Sequence, residues 1–110
     1  MRTWRRAVQR AEPLTMDMTM KTVDVHVTGH VQGVFYRDYA VSAARAAAVT
    51  GWVRNRRDGS VEARATGTNE ALSRFIAALR QGSPASRVDD VSVEGVELEL
   101  LNGFAPRGTV

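Results

Sequence analysis

The sequence predicts an α+β sandwich of order βαββαβ, the ferredoxin-like arrangement. It would have an antiparallel four-stranded sheet, two helices on one face and room for a short extra edge strand. Three observations carry this. Val23, Val25 and Val27 alternate with Asp24, His26 and Thr28, the period of a half-buried strand. Asp58-Gly59 sits between two strand-like runs, a strong hairpin signal. Leu72, Phe75, Ile76 and Leu79 follow the i, i+3, i+4, i+7 spacing of a helix with one buried stripe.

The elements follow in order. The first strand starts at Lys21 and runs into a loop containing Gly29 and Gly33. Residues 37–49 are alanine-rich and free of Gly and Pro, so they read as a helix, with Gly51 as its stop. Trp52 to Asn55 is the second strand. Val61, Ala63 and Ala65 carry the third inward on alternate positions. Thr68 can cap the second helix, and Glu70 stands in its first turn, where an acid is favoured. Gln81-Gly82-Ser83-Pro84 ends it. Residues 88–98 form a long strand with Val91 and Val93 facing in, and residues 100–104 a short edge strand before Pro106. Two right-handed β-α-β crossovers around a central hairpin produce the sandwich.

Composition bounds the function. A chain of 110 residues, 44% hydrophobic and 25% charged, is one ordinary soluble domain. No apolar run approaches the ~20 residues that cross a bilayer, so no membrane role is expected. The absence of cysteine removes disulfides, thiol catalysis and Cys-ligated zinc, and it fits a cytoplasmic setting. Residues 1–20 mix Trp4, four arginines, Pro13 and the closely spaced Met16, Met18 and Met20, and are expected to be a disordered extension preceding a domain over 21–110. They hold +2 of the net charge of +3, which leaves too little on the domain to argue for nucleic acid. Lys21 is the only lysine. A monomer is expected.

Chemistry concentrates in Gly29-His30-Val31-Gln32-Gly33-Val34-Phe35-Tyr36-Arg37. A cation in the first turn of a helix opposes the helix dipole. An anion bound there reverses that cost. The loop from His30 to Val34 can turn several N–H groups to one point, and Arg37 can clamp phosphoryl oxygens bidentately. The plainer reading is a surface arginine paired with Asp38. The second candidate is Asn55, at the end of the strand before the hairpin. Its amide can both donate to and accept from a water without ionising. The plainer reading there is a turn residue bonding its own backbone.

Other groups offer less. His26 and His30 lack partners at metal-site spacing. Arg54, Arg56 and Arg57 form a basic cluster on the hairpin, either a solvated edge or an attractor of anions. Asp89 and Asp90 are adjacent in a strand, so they point to opposite faces.

The two candidate segments look like those of a known family. Gly29-x-Val31-Gln32-Gly33-Val34-x-Tyr36-Arg37 resembles the first signature of the acylphosphatases. Gly51-Trp52-Val53-Arg54-Asn55-x-x-x-Gly59-x-Val61, followed by Gly67, resembles the second. The likeness spans about residues 22–104. It implies hydrolysis of the carboxyl–phosphate anhydride of acyl phosphates without metal or organic cofactor. It also implies that Arg37 binds the phosphoryl group, that Asn55 orients the attacking water, and that His30, Val31, Gln32, Gly33 and Val34 form the phosphate loop. Two features depart from the pattern: Phe104-Ala105-Pro106-Arg107 weakens the last strand, and Arg56 follows Asn55 where many relatives carry a small or polar residue. The competing reading is a non-catalytic ferredoxin-like binding module for RNA or a regulatory ligand. A third is an accessory domain acting on carbamoyl phosphate within a larger enzyme, against which the absence of further domains argues.

Overall fold

The computed structural model describes residues 18–110. Most of the expected 1–20 extension lies outside the described residues, and residues 18–20 carry no regular structure. The elements are β1 (Lys21–His30), α1 (Tyr36–Ala47), β2 (Thr50–Asn55), β3 (Val61–Gly67), α2 (Asn69–Gln81), β4 (Arg87–Val96) and β5 (Phe104–Arg107). The sheet order is β4-β1-β3-β2-β5. The first four strands pair antiparallel, and β5 joins β2 in parallel. The core lies between one sheet face and the two helices. Val25 and Val27 of β1, Val53 of β2, Val61, Ala63 and Ala65 of β3 and Val91 of β4 meet Ala40 and Ala44 of α1 and Leu72, Phe75 and Leu79 of α2. The small residues of α1 let that helix approach the sheet closely, and Phe75 fills the space left, edge-on to Phe104 at 5.4 Å.

Tyr36 and Tyr39 tie the helices together, their hydroxyls donating to the carbonyls of Leu79 (2.8 Å) and Ala78 (2.7 Å). Burial, with a smaller contribution from Tyr39, pushes the Tyr36 hydroxyl well above its usual range, so it stays a donor. Thr68 caps α2 by accepting from the Ala71 N–H at 3.2 Å.

Four details differ from the sequence expectation. Helix α1 stops at Ala48, not Gly51. Ala48 takes a left-handed conformation (φ 63°), and its N–H bonds back to Arg45. Gly51 instead lies inside β2 at φ 145°, where a Cβ would stand 1.8 Å from the Arg64 carbonyl oxygen, so it serves strand approach. Val93 is aligned with buried Val25 but is 41% exposed, because β4 is an edge that the helices do not fully cover. The last strand is Phe104–Arg107 rather than residues 100–104. Pro106 lies within it, as an edge strand tolerates. Residues 97–103 cross from one sheet edge to the other. Their backbone is held by Thr22 and Thr66, whose hydroxyls accept from Glu99 N–H (2.8 Å) and donate to Glu99 C=O (2.7 Å) respectively.

The open face of the sheet is a charged network. Arg64 bonds both oxygens of Asp24 and reaches Glu99, and these partners raise its already high pKa. Arg54 and Arg56 share Glu62. Trp52 also lies on this face, but the guanidinium groups of Arg54 (4.6 Å) and Arg107 (4.9 Å) stand over its ring and it is buried.

Candidate active site

The β1–α1 junction is built from conformations that expose main-chain donors. Gly33 has φ 74°, and a Cβ there would meet no protein atom, so glycine both satisfies the turn and leaves the opening clear. Phe35, the residue before α1, is also left-handed (φ 58°) and supplies no side-chain cap. The first intrahelical bond runs from Tyr39 N–H to Phe35 C=O (3.1 Å). The N–H groups of the first turn therefore lack the usual cap acceptor. No hydrogen bond within the described residues engages Gly33 or Val34.

Arg37 stands in that first turn. Among the described residues it forms no ion pair, with Asp38 or any other carboxylate, and its Nη1 donates only to the Arg107 carbonyl at 3.2 Å. A half-buried arginine with most guanidinium donors unspent, at the positive end of a helix, is arranged for an anion. Across the opening is Asn55, the last residue of β2. Its side chain bonds no protein group within the described residues. The local turn is instead made by Asp58, which accepts from Ser60 N–H (2.9 Å) and Oγ (2.6 Å). Those two bonds hold the Asp58 carboxyl below its usual range.

A pocket of about 390 Å³ is lined by Val31, Gly33, Phe35, Tyr36, Arg37, Asp38 and Asn55. Four residues expected from sequence thus share one opening: Val31, Gly33, Arg37 and Asn55. Three do not line it. His30 is exposed at the end of β1, paired with Arg87. Val34 lines a neighbouring groove. The Gln32 side chain turns the other way, its Nε2 donating to the carbonyls of Arg56 and Ser60, both at 2.7 Å. Gln32 is a strut between loop and hairpin, the hairpin that carries Asn55. Replacing Gln32 with Leu should cost about 1–3 kcal/mol of stability, the net value of two such bonds. It should also lower kcat/KM about tenfold by loosening the loop against Asn55. Thermal melts and steady-state kinetics on the same preparation check both.

Phe35, Tyr36 and Asp38 line the opening without having been expected there. Phe35 is 81% exposed, and no periodicity marks an apolar residue that lies between a glycine loop and the first helical turn. Among the described residues no three His, Asp or Glu side chains come together as a metal site, and no helix is long and apolar enough to cross a membrane.

A two-layer α+β sandwich here brings a glycine loop, an uncapped helix start and an arginine without an ion pair among the described residues to one opening, a set suited to an anion. The comparisons define the family. The acylphosphatase family model matches residues 23–106. An acylphosphatase of Rhizorhabdus wittichii is 48% identical over 86 residues, 78% of this chain and 87% of that protein. The crystal structure of the Bacillus subtilis acylphosphatase superposes with a TM-score of 0.77 at 38% identity, covering 81% of this chain and 99% of that one. The acylphosphatase from Coxiella burnetii gives a TM-score of 0.77 at 33% identity, over 80% and 93%. This chain belongs to the acylphosphatase family, and with it to the hydrolases of acyl phosphates.

Proposed function

We propose that the opening between the β1–α1 loop and Asn55 is where this enzyme cleaves the carboxyl–phosphate anhydride. The observation that carries the reading is an Arg37 that, among the described residues, has no ion pair, beside loop amides and opposite an asparagine amide that bond no group there. The loop N–H groups from His30 to Val34 and the Arg37 guanidinium hold the phosphoryl oxygens. Asn55 places a water in line with the bond between phosphorus and the acyl oxygen. The water oxygen bonds to phosphorus, the acyl oxygen leaves with its electron pair as a carboxylate, and the water's proton passes to a phosphoryl oxygen. A carboxylate leaves without a general acid, and the loose transition state asks mainly for positioning and charge stabilisation. No titratable base is needed.

We further infer that the enzyme acts as a monomer on small-molecule acyl phosphates in the cytoplasm, without metal, organic cofactor or nucleic acid. The covered Trp52 ring, unavailable for base stacking, favours this over the RNA-binding reading. The test is hydrolysis of acetyl and benzoyl phosphate in the presence of a chelator, with phenyl phosphate as monoester control. Turnover of the acyl phosphates alone is expected. Loss of turnover on chelation, or equal cleavage of the monoester, overturns the reading.

A further inference from the structure

A second concavity of about 440 Å³ adjoins the pocket. It is lined by Val34, Asp38 and Tyr39 on the α1 side and by Pro84 and Ala85 after α2, and Phe35 borders both it and the pocket. Phe35 is the hinge of the arrangement. A bulky side chain in a left-handed conformation is costly, and here no burial offsets the cost, since the ring is 81% exposed. That conformation leaves the ring on the rim common to pocket and groove. The groove's one charged side chain is Asp38, an acid.

We propose that this groove receives the acyl chain of the substrate, that Phe35 determines the preference, and that the enzyme favours uncharged apolar acyl groups over acetyl and over chains ending in a carboxylate. The assignment rests on the phosphoryl site lying in the adjoining pocket. With the phosphoryl group there, an acyl chain leaving over Phe35 enters a mainly apolar groove of valine, tyrosine, proline and alanine surface, with Ser42 and Ser83 as its uncharged polar members. A terminal carboxylate would instead meet Asp38, a like charge.

The probes are acetyl phosphate, hexanoyl phosphate and adipoyl monophosphate. Acetate and hexanoate are leaving groups of nearly equal basicity, so a difference between them reports binding of the chain. The adipoyl compound has the same length with a terminal charge. For the parent, kcat/KM for hexanoyl phosphate should exceed that for the other two by about tenfold or more, the scale of burying a few methylenes. In Phe35→Ala the ratio of hexanoyl to acetyl should fall to about threefold or less. Ala85→Glu, on the opposite exposed wall, should do the same without touching the loop. Circular dichroism melts confirm that both variants fold. Equal kcat/KM for hexanoyl and acetyl phosphate in the parent, or an unchanged ratio in both variants, overturns the groove assignment while leaving the phosphoryl site standing. Failure to hydrolyse any of the three overturns the catalytic reading itself.

Discussion

Replacing Arg37 with Ala should lower kcat/KM for acyl phosphates by about 30- to 1000-fold while leaving the fold intact. The magnitude follows from removing a charge-assisted clamp on developing phosphoryl charge, worth about 2–4 kcal/mol. The intact fold follows from the contacts of Arg37. The residue is half-buried, and its one hydrogen bond among the described residues, at 3.2 Å to Arg107, is exposed and long. Removing a cation from the positive end of α1 returns about 0.3–1 kcal/mol, roughly offsetting that bond. Two measurements separate this from a structural effect. Inorganic phosphate should raise the melting temperature of the parent by mass action, and should not do so for the variant. Arg37→Lys should recover only part of the rate, since an ammonium supplies the charge but not the fork. A variant with near-normal kinetics, or one that simply unfolds, removes the assigned role.

Much of this site was legible because its two halves carry local signals. Gly33 suits a left-handed turn at φ 74°, and Arg37 is conspicuous because it opposes the dipole of its own helix. Asn55 is marked less by itself than by the Asp58-Gly59 turn that ends its strand. What joined the halves was topology: β3 lies between β1 and β2, and the loop after β1 and the end of β2 lie at the same end of the sheet. Gln32 shows where reading by residue type stops. As a member of the loop it is expected to offer its main-chain N–H, and no local signal marks what its side chain does, which is to spend both amide hydrogens on hairpin carbonyls 24 and 28 residues away.

The misplacements share a cause: the packing of the chain, and not the propensity of the residue at the position, decided them. Ala48 ends α1 in a conformation that local rules reserve for glycine, because Val49 must turn back to bond Ala44 C=O and enter the core. Gly51, the obvious stop, is needed where β2 presses on Arg64. The last strand moved past the apolar run of residues 100–104 because residues 97–103 cross the sheet, their polar backbone answered at Glu99 by two threonines far away in sequence. The Gly103 carbonyl is the first group to reach the other edge, accepting from Gly51 N–H at 2.8 Å, and Phe104 then buries its ring against Phe75.

Asn55→Ala should separate binding from chemistry. Asn55 lines the pocket and its amide bonds no group among the described residues, so its loss orphans no partner there and should change stability by less than about 1 kcal/mol. The loop amides and Arg37 remain, so inorganic phosphate should still inhibit competitively within about threefold of the parent. What disappears is the in-line placement of water, a contribution realised only on the way to the transition state. It should appear as a fall of about 100- to 1000-fold in kcat at nearly constant KM. Asn55→Asp sharpens the test. It keeps the size and one acceptor but adds a negative charge facing the dianion, so it should weaken phosphate inhibition as well as turnover. If alanine costs phosphate affinity as much as it costs rate, Asn55 belongs to the anion cradle rather than to the water.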